Sequence, residues 1–234
     1  MGGSCSLERV RVEEALEWRR PPARPFILEG FEVNTGFANS TRPEVLRSSR
    51  GSLKVKLTSS NSYSQGERVA SLAEYLEERP RELANESWYL FGPETSLVEG
   101  YSVPRCGGRW CDADLVASSF GVGRRGSGVS FHTHGAGFSQ VLHGRKRWFF
   151  FETRPPRFDP DVSTAAWVET VLPGLWMNKP PIDCVLERPT DLLYFPRDWW
   201  HATLNLDDIN VFVSTFVADD AAAAWPFFSS PPSL

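Results

Sequence analysis

Between Leu115 and Val217 the sequence carries eight short runs that read as β-strands, packed so closely that little else fits between them. They are Leu115 to Gly121, Val129 to His134, Phe138 to His143, Lys146 to Glu152, Cys184 to Glu187, Leu192 to Phe195, His201 to Leu206 and Val211 to Val217. Most are rich in β-branched and aromatic residues, and Gly, Pro, Asn or Asp separates them. A helix predicted around Ser163 to Thr170 is the one long interruption. Short strands joined by turns in this number are what a jelly roll or small barrel requires. The fold class is therefore all-β dominated with a few flanking helices, and 234 residues suffice for one substantial core.

Ahead of this block, Ser6 to Arg19 reads as a helix: Ser6 can cap it, Glu8, Glu13 and Glu14 are its acidic residues, and Pro21-Pro22 stops it. Pro25 to Leu28 and the alternating Leu53 to Leu57 read as strands, Ser71 to Arg79 as a short helix, and Trp88 to Phe91 as a strand ending at Gly92-Pro93. No repeat or linker divides the chain. Residues 1–217 are expected to form a single domain, with 1–100 integral to it and the core barrel at 115–217. Residues 218–234, with an Ala run and a Ser-Ser-Pro-Pro-Ser-Leu end, are expected to be a poorly ordered tail.

A net charge of −4 offers no basic surface for phosphates, so nucleic acid is not an expected partner. No window is apolar enough for a transmembrane segment. Met1-Gly2-Gly3-Ser4-Cys5-Ser6 lacks the apolar core of a signal peptide and fits the myristoylation pattern, a match short enough to arise by chance. Cys5, Cys106, Cys111 and Cys184 have no zinc-finger spacing. An even cysteine count is compatible with two disulfides, and the acceptor sites Asn39-Ser40-Thr41 and Asn85-Glu86-Ser87 point the same way, to an oxidising compartment. A cytoplasmic location is the alternative.

In Phe131-His132-Thr133-His134-Gly135, one residue separates two histidines, and the period of two along a strand puts both on one face. His201 opens a later strand and can complete a three-ligand metal site with positions open to substrate. Alternatively, His132 and His134 line a polar interior. His143 precedes Gly144 and reads as a turn residue. In Gly144-Arg145-Lys146-Arg147-Trp148, alternation sends Lys146 and Trp148 to one face and the two arginines to the other. A lysine inside a small barrel needs an anion, which can be a bound dicarboxylate or a buried Asp or Glu. Gly121-Val122-Gly123-Arg124-Arg125-Gly126 matches a dinucleotide fingerprint but leads into a strand instead of a helix, so it reads as a flexible loop at the pocket mouth.

Taken in order, the His-x-His strand, the Gly-x-Lys-Arg-Trp turn and the Tyr194-Phe195-Pro196…Trp199-Trp200-His201-Ala202-Thr203-Leu204-Asn205 block closely resemble the JmjC family of Fe(II)- and 2-oxoglutarate-dependent oxygenases. The resemblance implies a double-stranded β-helix of the cupin type, with His132, His134 and His201 at the metal and Lys146 on the far carboxylate of 2-oxoglutarate. Fe(II) is the metal it implies, with zinc the alternative for three histidines. Active members carry Asp or Glu where His134 stands, so this chain lacks the anionic ligand. Val129 and Val213 fall where related hydroxylases often place a threonine for the co-substrate. The resemblance extends to a lumenal endoplasmic reticulum branch of the family, roughly from Ser4 to Val217, in which a cleaved signal peptide precedes a segment like Ser4 to Leu7. It implies a Cys5–Cys184 disulfide, and beside it a local Cys106–Cys111 pair. Two functions are then expected to compete. One is a metal-binding protein with weak or absent oxygenase activity and a regulatory role through a protein partner, and the other is a working hydroxylase of a protein substrate.

Overall fold

A computed structural model describes residues 5–59, 66–78, 88–93, 95–104 and 115–217. The chain runs through β1 (Glu8–Arg11), α1 (Val12–Ala15), β2 (Phe26–Glu29), α2 (Thr35–Ser40), α3 (Pro43–Arg50), β3 (Lys54–Ser59), β4 (Glu67–Ser71), α4 (Leu72–Glu77), β5 (Trp88–Gly92) and α5 (Thr95–Val98). The barrel strands follow: β6 (Leu115–Gly123), β7 (Gly137–His143), β8 (Lys146–Phe151), then α6 (Thr164–Thr170) and α7 (Leu172–Leu175), then β9 (Ile182–Leu186), β10 (Asp191–Phe195), β11 (Trp200–Asn205) and β12 (Asn210–Val217).

One sheet has the order β1-β2-β10-β7-β12-β6-β5-β3-β4, and a second has β11-β8-β9. Residues 127–134 extend the second sheet along β11. Asn205 N donates to Ser127 O (2.8 Å), Thr203 N to Val129 O (2.9 Å), and His132 and His201 exchange both backbone bonds (3.1 and 3.0 Å). Two antiparallel sets, β10-β7-β12-β6 and the 127–134 stretch with β11-β8-β9, thus make the expected jelly roll. The expected Val129 to His134 strand is reduced to the isolated bridge between His132 and His201. Local bonds compete with a regular ladder there: Ser130 Oγ donates to Val162 O, and His132 Nδ1 bonds Ser130 O.

Most barrel strands are apolar on both faces, because helices and extra strands cover the outside of each sheet. Val141, Trp148, Phe150, Leu193, Phe195 and Phe212 fill the space between the sheets. On the outer side of the large sheet, Phe120, Val122, Leu142, Val211 and Val213 pack with Val55, Leu57, Leu72 and Tyr75. Outside the small sheet, Phe149, Phe151, Ala202 and Leu204 pack against Trp167 and Leu172 of α6 and α7.

The Ser71 helix forms as α4 and has a capping box. Glu74 N donates to Ser71 Oγ (3.2 Å), and Ser71 N donates to the Glu74 carboxylate (2.7 Å). Ser163 caps α6 by accepting from Ala166 N (3.3 Å). The Ser6 to Arg19 helix does not form. Glu8–Arg11 instead pairs in parallel with β2, leaving only the short, uncapped α1. Tertiary contacts override the local cap signal: Ser6 Oγ donates to Asp183 O (3.2 Å), and Arg9 reaches Glu29 (2.5 Å) and Asp191 (2.6 Å) from the sheet edge. Helices α2, α3, α5 and α7 and strand β4 have no counterpart among the elements expected from the sequence.

Cys5 and Cys184 are joined by a disulfide, 179 residues apart in sequence. Cys106 and Cys111 lie outside the described residues, as do Asn85 and the 218–234 tail. Asn39 is exposed at the end of α2, where its Oδ1 accepts from Arg42 (2.9 Å).

Candidate metal centre

His132 and His134 leave the 127–134 stretch on one side and meet His201 from β11, and the nearest ring nitrogens of the three lie within 4.8 Å of one another. Each imidazole is oriented by its own backbone neighbourhood. Nδ1 of His132 bonds Ser130 O (2.7 Å), Nδ1 of His134 bonds Gly135 O (2.7 Å), and Nδ1 of His201 bonds Trp199 O (2.8 Å). A carbonyl only accepts, so each Nδ1 carries the proton and each neutral ring presents an Nε2 lone pair. Nε2 of His134 and Nε2 of His201 stand 3.1 Å apart.

Two facing lone pairs are tolerable only with a cation or proton between them, and the surroundings disfavour a proton. Burial pushes His132 down to about 3, with the neighbouring His134 adding to the effect. Burial also lowers His134, and it lowers His201 far below the usual histidine range with help from the other two rings. The cause is an aromatic wall. Phe195 and Phe216 meet His134 edge to face at 5.2 and 5.1 Å, and Trp148 lies 5.8 Å from His201.

The donor set fits a metal ion. Metal–nitrogen bonds of about 2.0–2.1 Å set adjacent ligands roughly 3.0–3.4 Å apart, and the 3.1 Å His134–His201 separation lies in that range. No carboxylate joins the group among the described residues. This neutral imidazole set is compatible with a divalent ion such as Fe(II) or zinc, either of which would sit there without an anionic ligand to offset its charge.

Lys146 points inward from β8 as alternation requires and is 2% exposed, while Arg145 and Arg147 face out and pair with Asp207 (2.7 Å) and Asp183 (2.5 Å). Among the described residues no carboxylate pairs with Lys146. Its Nζ lies 3.6 Å from the centroid of the Phe212 ring and 6.0 Å from that of Trp148. Burial brings its pKa down to about 7. The fit to 2-oxoglutarate therefore fails at the anchor, because an aromatic face stands against the ammonium where the far carboxylate should be.

Three other sequence expectations change. Val213 packs in the outer core with Val55 and Leu57, on the face of β12 opposite Phe212, so it does not line the pocket. Val129 is held through its backbone, its N donating to Thr203 Oγ1 (3.1 Å) and its O accepting from Thr164 Oγ1 (2.9 Å). Gly121 and Gly123 belong to β6 and not to a loop, and both admit close packing: a Cβ would lie 2.2 Å from Phe212 Cζ at Gly121 and 1.9 Å from Asn205 Nδ2 at Gly123. His143 closes β7 and bonds Ala38 O (2.6 Å), away from the metal group. Sequence reasoning missed Phe212, Phe195 and Phe216 as pocket walls. The period of two on β12 carried part of that signal, since Phe212 and Phe216 share one face.

No family model matches the chain. JmjC domain-containing protein 8 of Homo sapiens is 39% identical over 226 residues, covering 91% of this chain and 84% of the relative. Its Mus musculus counterpart is 39% identical over 228 residues, covering 91% and 82%. Lysine-specific demethylase JMJ21 of Arabidopsis thaliana is 32% identical over a shorter stretch of 116 residues, 41% of this chain and 12% of that protein. With likeness along nearly its whole length, two facing sheets and a histidine group between them, the chain belongs to the JmjC domain family.

Proposed function

We propose that this chain is a metal-binding JmjC protein of the secretory pathway that acts through contacts with a protein partner and has weak or absent oxygenase activity. The observation that carries this reading is the convergence of His132, His134 and His201, each with Nδ1 tied to a carbonyl, in a group that no carboxylate joins among the described residues. Such a set can hold a divalent ion, Fe(II) or zinc, but lacks the carboxylate ligand that active members carry. The Cys5–Cys184 disulfide and the exposed Asn39 acceptor site support an oxidising compartment, the endoplasmic reticulum lumen.

The competing reading, a working Fe(II)- and 2-oxoglutarate-dependent protein hydroxylase, rests on the inward Lys146. Calorimetric titration of metal-free protein with zinc is expected to give one ion per chain and to lose it in the His132→Ala/His201→Ala variant. Fe(II)-loaded protein is expected not to convert 2-oxoglutarate to succinate. Metal binding that ignores these histidines, or succinate formed in proportion to enzyme, would overturn the proposal.

A further inference from the structure

Phe212 is packed by groups from three elements. On one side is Gly121, its register partner on β6, and beyond Gly121 the paired Phe91 of β5. Gly121 has no side chain, so Phe91 and Phe212 close over it, stacked at 5.8 Å with 22° between planes. A single added carbon at Gly121 would fall 2.2 Å from the Phe212 ring. On the other side is Lys146 of the opposite sheet, with Nζ 3.6 Å from the ring centroid. That is contact distance, so neither a water nor a carboxylate oxygen fits between the ammonium and the ring. Both residues are almost fully buried, at 2% for Lys146 and 3% for Phe212.

Further along the inner face of β12 the residues change character. Ser214 pairs with Ser139 (3.1 Å), and Phe216 reaches His134. Trp148 lies between Lys146 and His201, 6.0 Å from the one and 5.8 Å from the other. Aromatic rings therefore lie between the histidine group and Lys146, and the Phe212 ring is in contact with the only inward-facing cation among the described residues of the barrel strands.

We propose that Phe212 is a built-in plug: packed on Gly121 and capped by Lys146, it takes the place of an acidic co-substrate, so the pocket accepts a metal ion but no dicarboxylate until that ring is removed. The plug deepens the metal-binding reading above and rests on it for the histidine group. Removing the ring exposes a buried ammonium to an open space, and a small dicarboxylate of the 2-oxoglutarate class is the ligand whose charge and size match it.

The test is calorimetric titration of 2-oxoglutarate into zinc-loaded full-length protein, wild type and Phe212→Ala, with Lys146→Met in each background. Wild type is expected to give no binding heat into the millimolar range. Phe212→Ala should gain affinity by at least about tenfold over that limit, and Phe212→Ala/Lys146→Met should lose the gain. Circular dichroism confirms folding of each variant, and Phe212→Leu, which keeps an apolar group on the strand, reads the same two outcomes if the alanine protein does not fold. Lys146-dependent binding by wild type overturns the plug, as does a folded Phe212 variant that still ignores the dicarboxylate. Zinc stoichiometry is read on the same samples and judges the histidine site separately. Wild type that binds 2-oxoglutarate without forming succinate would refute the plug and leave the metal-binding reading standing.

Discussion

At the scale of single residues, the placement of Lys146 is costly. Trp148 and Phe212 face it, His132 reaches it only through its field, and no described carboxylate does. Its pKa of about 7 lies below the roughly 10.4 of an exposed lysine. Folding therefore disfavours the protonated form. The penalty is fully present below the folded value and vanishes above the unfolded one, so stability should rise as the pH increases from 7 to 10. The shift corresponds to on the order of 4 kcal/mol. Lys146→Met removes it but also forfeits a desolvated cation–π contact of about 2 kcal/mol. The variant should be about 2 kcal/mol more stable than wild type at pH 7, with a flatter pH dependence. Urea denaturation at pH 7 and pH 9.5 checks this, and parallel pH profiles for the two proteins would mean that Lys146 is not held as drawn. Inward placement of this lysine was readable from alternation alone. The assignment of Val213 was not, because a slip of one residue along a strand exchanges its faces, and only the pairing of β12 with β6 and β7 puts Phe212 on the inner side.

At the scale of elements, seven of the eight barrel segments were legible because turn residues bound them and because most are apolar on both faces, a signal that survives without long-range information. The histidine group was legible for a related reason, since His132 and His134 need only a local period of two to share a face. The first helix was misread because the forces that make Glu8–Arg11 a strand come from Glu29, Asp183 and Asp191, far away in sequence. The 127–134 stretch lies between these cases, extended yet tied to β11 by scattered bonds. Its close approach depends on Gly128, where an added Cβ would lie 1.8 Å from Thr203 O. Gly128→Ala must push this stretch away from β11 and carry His132 away from His201. The expected result is a loss of about 1–3 kcal/mol in stability from overpacking and a fall in zinc affinity of about 10–100-fold, the range typical of lost ligand support. Calorimetry and thermal unfolding measure both. Unchanged zinc affinity in a folded variant would show that the seam does not position His132.

For the whole molecule, the disulfide decides how the N-terminal edge is held. Cys5 precedes β1, an edge strand paired only with β2, and its bond to Cys184 of β9 ties that edge to the smaller sheet. Cys184 is fully buried beside Leu186 and Trp148 in the core that backs the histidine group, so the crosslink closes the barrel wall from the side opposite α6 and α7. Closing a loop of 179 residues restricts the unfolded chain, and the entropic model gives about 5 kcal/mol for that length. Total domain stability is commonly about 5–15 kcal/mol, so the bond is a large share of it. Cys5→Ser should therefore bring down the denaturation midpoint sharply, and reductant should lower the midpoint of wild type by much more than that of the variant. Because β1 and β2 lie at one edge of the large sheet, loss of the bond should first loosen the Arg9 contacts with Glu29 and Asp191, giving faster amide exchange in 8–11 than in β7 or β12. A reducing buffer that changed neither the midpoint nor that exchange would show that the barrel holds its edge without the crosslink, and the physical case for a protein matured in an oxidising compartment would then rest on the acceptor sites alone.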